Sequence, residues 1–142
     1  MMRSRDTAGP VKAPSVGNHA PVVKHWLARQ PDAFIVFRHA DGRFLGFMAQ
    51  LDVHRADTAD VARDPALQAL QPLLGRSPAA QPGDEWLYMR FWMARDTYQK
   101  VSPALNLTAV QSLVQWTTRQ RLAWNFLAFA DQDIAKESLK LF

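Results

Sequence analysis

The sequence predicts an α/β (α+β) domain: a mixed, mainly antiparallel central sheet with helices on both faces. Three observations carry that prediction. Two runs rich in Phe, Ile, Val and Leu in "AFIVFRHADGRFLGFMAQL" flank His39-Ala-Asp-Gly42, whose Asp-Gly pair suits a tight reversal. A third apolar run, "EWLYMRFWM", leads through a helical pattern into a fourth, "LAWNFLAFA", which is the order of a parallel strand–helix–strand unit. Phe34 to Phe37 are almost continuously apolar, which asks for cover on both sides of the sheet.

The elements follow in order. Residues 1–19 are rich in Pro, Gly, Ser and basic side chains and lack the apolar segment of a secretory signal, so they read as a disordered tail before a domain at 20–142. Pro21 suits the first turn of a helix with Val22, Val23, Trp26 and Leu27 on one face, and Pro31 closes it. The hairpin strands come next, with Gly46 marking a bulge or a close backbone approach in the second. Residues 52–84 form a long excursion between strands, holding one short helical pattern from Ala66 to Leu74. Its length points to a part in binding or interaction.

Glu85 to Met93 reads as a long strand, with Trp86, Tyr88, Arg90 and Trp92 on one face and Leu87, Met89, Phe91 and Met93 on the other. A helix from Pro103 to Gln120 follows, its core side expected along Leu105, Ala109, Leu113 and Trp116 and widened by Val110 and Val114. "LAWNFLAFA" is a buried strand, and "DQDIAKESLKLF" begins a last helix.

Composition narrows the function classes. The chain has 142 residues, 48% of them apolar and five of them Trp, enough for one domain with a core. With no Cys, a disulfide framework and a thiolate metal site are excluded, which suits a cytoplasmic protein. No apolar run nears the ~20 residues that span a bilayer, so no membrane partner is expected. The net charge of +4 comes from scattered basic residues, including Arg3, Arg5 and Lys12 of the tail. No basic stripe interleaves with aromatics, so nucleic acid is not the expected partner. The four His residues fall on different segments, with no H-x-x-x-H and no carboxylate cluster to hold a metal.

The loop "RDTYQKVSPALNL" carries the strongest functional signal. Ser102 is a favoured N-cap and Pro103 a favoured first helical residue. Backbone N–H groups at that helix start make a natural anion site, unless the Ser102 hydroxyl satisfies them itself.

The order of elements, together with Gln99-Lys-Val-Ser102-Pro-Ala104, resembles the GNAT N-acetyltransferase superfamily over about residues 20–142, the excursion apart. That family's loop motif is Q/R-x-x-G-x-G/A, whose amides hold the pyrophosphate of acyl-CoA. The resemblance therefore implies acetyl-CoA or another acyl-CoA as cofactor, an amine as acceptor, and Met93, Gln99, Lys100, Val101, Ser102, Ala104 and Leu105 as cofactor-binding residues. "RFWMARDTYQKVSP" also resembles a GNAT-like segment of multidomain bacterial ATP-binding regulators, although this chain has no Walker-type glycine loop.

Departures from the family pattern point the other way. Ser102 replaces a Gly and Pro103 removes an amide donor. The family's last-helix tyrosine, which protonates the departing thiolate, aligns with Leu139. The family's last strands would lie beyond Phe142, so the sequence reads as a fragment or as a fold completed by another chain. The candidate catalytic residues are Tyr98, as a substitute acid or a packing anchor, and Glu85, as proton acceptor or a plain strand-end residue. Arg90 is placed to bind a carboxylate or to lie over Trp86 or Trp92. Two functions follow as expectations: an acyl-CoA-binding N-acetyltransferase, or a non-catalytic GNAT-like module that regulates or docks, as a homodimer or on a partner domain.

Overall fold

A computed structural model describes residues 19–74, 81–130 and 132–139, with 137–139 by backbone alone. Most of the tail expected at 1–19 and part of the excursion lie outside the described residues. β1 (Phe34–Arg38) and β2 (Phe44–Asp52) meet at the Asp41-Gly42 turn. There His39 N donates to Arg43 O at 2.8 Å and Gly42 takes a φ of 88°, a value open to Gly at little cost. β3 (Glu85–Ala94) pairs antiparallel with β2, and β4 (Leu122–Leu127) pairs parallel with β3. The sheet order is β1-β2-β3-β4, mixed and mainly antiparallel as expected.

β3 does not keep simple alternation. Ala49 pairs with Phe91 and Gln50 with Met89, so Arg90 is an extra residue, a β-bulge. Beyond it the faces exchange. Tyr88 and Phe91 join Ala49 and Leu51 in one core, and Met89 and Trp92 join Met48 in the other. The expected grouping of Trp92 with Tyr88, and of Phe91 with Met89, is corrected by this one inserted residue.

Helices lie on both faces but cover the outer strands only in part: Val36 of β1 and Trp124 and Leu127 of β4 are exposed, which corrects the burial expected of those two runs. On the first lie α1 (Ala20–Arg29), α2 (Thr58–Arg63) and α3 (Pro65–Leu74), with Trp26, Leu67 and Leu70 buried against the sheet. Leu27, expected on the core side of α1, is instead exposed. α2 is an addition to the expected excursion, preceded by a 3₁₀ turn at Val53–Arg55. Its start is a reciprocal cap: Asp60 N donates to Asp57 Oδ1 at 2.8 Å, and Asp57 N to Asp60 Oδ2 at 3.0 Å.

The second face holds α4 (Pro103–Thr118) and α5 (Gln132–Leu139). α4 approaches through its small residues Ala104, Thr108 and Ser112, all buried and spaced by four. Gly46 allows that approach, because a Cβ there would run into Met93 O and Ala104. The expected core side of α4 is therefore corrected by a rotation of the helix: Ala109, Val110, Leu113 and Val114 face solvent, and Leu105 and Trp116 are half-buried. The sheet under α4 presents Met48, Met89 and Trp92, and against such bulk the small side of the helix fits closer. Among the described residues, no helix is long and apolar enough to cross a membrane.

Candidate functional site

The loop between β3 and α4 begins with a closed turn. Ala94 N donates to Tyr98 O at 2.7 Å, and Tyr98 N returns to Ala94 O at 3.1 Å. Tyr98 sits at φ 54°, a left-handed conformation that a Cβ disfavours, with 43% of its surface exposed. It is the only non-glycine residue with positive φ among the described residues.

Gln99 turns inward and is buried. β3 and β4 stop pairing after Met89 and Leu127, and the Gln99 carboxamide lies where they part. Its Nε2 donates to Trp92 O at 3.2 Å and, at 3.4 Å, to Ala128 O, while its Oε1 accepts from Ala130 N at 2.7 Å. A side-chain amide thus makes the bonds that a further stretch of strand would make. Trp92 Nε1 also donates to Ala128 O, at 2.7 Å, closing the same gap.

The other loop residues expected to hold a cofactor divide between exposed and packed positions. Lys100 N donates to Thr97 O at 3.1 Å, and its side chain is exposed. Val101 is 82% exposed. Ser102 Oγ accepts from Leu105 N at 3.2 Å, so the hydroxyl caps its own helix. Pro103 has no N–H to offer. Ala104 packs on Gly46, Leu105 lines the second core, and Met93 is half-buried and paired with Phe47. Within the bend, Ser102 Oγ and Leu105 N are thus paired with each other, while the Lys100 and Val101 side chains stand open to solvent.

Glu85 lies at the other end of β3, some 30 Å of extended chain from Ala94 at ~3.3 Å per residue. Its carboxylate accepts from Arg119 Nη1 at 3.3 Å. The two candidate catalytic residues, Tyr98 and Glu85, are therefore not brought together.

Two charged clusters were missed by sequence reasoning. Asp64, at the start of α3, is fully buried and accepts from Arg90 Nε at 3.1 and 3.0 Å, from Trp26 Nε1 at 2.8 Å and from Ala66 N at 3.0 Å. Arg90 also lies over the Phe91 ring, 4.5 Å from its centre, rather than over Trp86 or Trp92. Asp60 accepts from Arg29 Nε and Nη2, each at 2.9 Å, and lies 2.7 Å from His25 Nε2. Those bonds, led by the Arg29 hydrogen bond, hold its carboxyl well below the usual range despite burial. His25, expected to be isolated, has a partner. The Asp-x-x-Asp spacing of Asp57 and Asp60 and the Asp64-Pro65 pair were the available signals, both of helix starts.

A cleft of about 520 Å³ opens beside the excursion, lined by Val53, His54, Asp57, Gln71, Asp84 and Trp86. His54 Nδ1 accepts from Trp86 N at 3.1 Å. Asp57 and Asp84 each pair with an arginine, Arg29 and Arg121, both at 3.3 Å. The cleft lies at the Glu85 end of β3, away from the loop. Among the described residues no three His, Asp or Glu side chains converge to hold a metal.

No known protein family, curated protein or solved structure matches this chain.

Proposed function

We propose that this chain is a GNAT-like, non-catalytic interaction module of the cytoplasm, one whose bend between β3 and α4 is a structural joint rather than a cofactor cradle. The observation that carries the reading is Gln99, whose carboxamide bridges Trp92, Ala128 and Ala130 where β3 and β4 separate. The separation of Tyr98 from Glu85 supports it, as does the hydroxyl cap of Ser102. The docking surface of the module is the outer side of α4, where Leu107, Val110, Leu113 and Val114 are exposed. Calorimetric titration of acetyl-CoA into the protein tests the reading. No saturable heat is expected up to ~1 mM ligand, a Kd of 1 mM corresponding to only about −4 kcal/mol. Saturable binding in the micromolar range overturns it.

A second reading, an acyl-CoA-dependent N-acetyltransferase acting on an amine, is favoured by Tyr98. Its exposed ring is held at a strained φ next to the start of α4, and such strain concentrates at working sites. That reading requires Gln99 to leave its three partners. It predicts acetyl transfer to a small amine that Tyr98→Phe lowers while binding persists.

A further inference from the structure

The cleft of about 520 Å³ beside the excursion joins two kinds of lining. Val53, Val61, Leu74 and the half-buried ring of Trp86 supply apolar surface. Asp57 and Asp84 supply two carboxylates, and no Lys or Arg is among the residues that line the cleft with them. The volume suits a small organic ligand, whose sites run from roughly 300 to 1,000 Å³.

Each carboxylate has an arginine close by, but both arginines are committed elsewhere. Arg29 makes its short bonds to Asp60, each at 2.9 Å, and reaches Asp57 only at 3.3 Å. Arg121 makes its short bonds to the carbonyls of Pro82 and Gly83, at 2.6 and 2.9 Å, and reaches Asp84 only at 3.3 Å. A strong bond between a guanidinium and a carboxylate lies at about 2.7–2.9 Å. Each carboxylate also accepts one backbone N–H at 2.8 Å, from Asp60 N at Asp57 and from Gln81 N at Asp84. A carboxylate has about four acceptor positions, so both keep room for a further donor.

The geometry points to a binding site for a small organic cation in this cleft, its positive group held by the carboxylates and its apolar body lying on Trp86. An anion would meet two negative charges there. A neutral apolar ligand would take water from both carboxylates and give neither a bond. The face of an indole attracts a cation besides giving it apolar contact area. The cleft lies at the Glu85 end of β3 and the bend at its Ala94 end, so the two places are separate.

Three ligands with one apolar body test the assignment: phenethylamine, 2-phenylethanol and phenylacetate, which are positive, neutral and negative at pH 7. Each is titrated to ~20 mM into the ¹⁵N-labelled full chain, and the Trp86 indole signal and the amides of Asp57, Asp84 and Trp86 are followed. Phenethylamine should shift these signals saturably with a Kd on the order of 1 mM, as suits a ligand of its size. The other two should bind at least ~10-fold more weakly. Asp57→Asn and Asp84→Asn together should remove the preference for the amine, and Asn at 57 still caps α2. Signals that do not saturate with phenethylamine overturn the inference, as do equal affinities for the three ligands. An amine preference that survives in the folded double variant overturns it as well. If the double variant does not fold, the three ligands on the wild-type chain decide alone.

Discussion

Arg90 and Asp64 form a buried ion pair across the bulge of β3, with Nε 3.1 and 3.0 Å from the two carboxylate oxygens. The extra residue in the strand turns the guanidinium toward the start of α3, and the carboxylate there also binds Trp26 of α1. One pair thus ties the sheet to two helices. Truncating one partner leaves the other charged and buried, so Arg90→Met should destabilise by about 3 kcal/mol. Urea unfolding followed by Trp fluorescence measures it. A loss under ~1 kcal/mol would mean the pair contributes little beyond packing.

The Asp60 cluster makes stability depend on acid pH. Its carboxyl is held below the ordinary carboxylate value of about 3.9. Between the two values the unfolded chain binds more protons than the folded one, so the contribution is complete above the unfolded value and fades as pH falls beneath it. Asp60→Asn should therefore cost about 2 kcal/mol at pH 7. The gap between variant and wild type should narrow at pH 3, read as urea midpoints at the two pH values.

Tyr88 works at the other limit. Burial pushes its hydroxyl up to about 12, an effect the nearby Arg90 reduces and Asp64 reinforces. The folded chain keeps that proton when the unfolded one releases it near 10, so this contribution is lost as pH rises past 10. Tyr88→Phe should flatten the alkaline loss, as seen in thermal midpoints between pH 9 and pH 11.

Tyr98 at φ 54° stores backbone strain. Asn tolerates that conformation better, so Tyr98→Asn should stabilise the protein by about 0.5–1 kcal/mol. A thermal midpoint that falls instead would show that the ring itself contributes packing.

Gly46 is fixed by the approach of β3 and α4, where an added Cβ meets the Met93 carbonyl. Backbone cannot move aside as a side chain does, so Gly46→Ala should cost about 3 kcal/mol or more. Gly42, at φ 88° but with open space around it, should lose only about 1 kcal/mol on the same change. Paired denaturation curves separate the two causes.

Much of the fold was legible because its signals are local. The Asp41-Gly42 turn, the apolar runs of the four strands and the Ser102-Pro103 helix start each lie within a few residues, and each element formed where those signals sit. The faces of β3 and α4 were not legible. A bulge at Arg90 is decided by pairing with β2 rather than by β3 itself, and no pattern inside "EWLYMRFWM" announces it. α4 carries apolar residues on more than one side, so its sequence alone cannot say which side meets the sheet; Gly46, nearly sixty residues away, decides it. The candidate loop was found by its cap and its motif. What its residues do depends on Ala128 and Ala130, which are far along the chain from Gln99.

The most direct test looks at the amides of the bend themselves. In ¹H–¹⁵N spectra of the labelled chain, the signals of Lys100, Val101, Ser102, Ala104 and Leu105 and the Gln99 side-chain amide should keep their positions as coenzyme A is added to ~1 mM. Saturable shifts confined to those groups, with the Gln99 signals moving away from their bridged positions, would contradict the account.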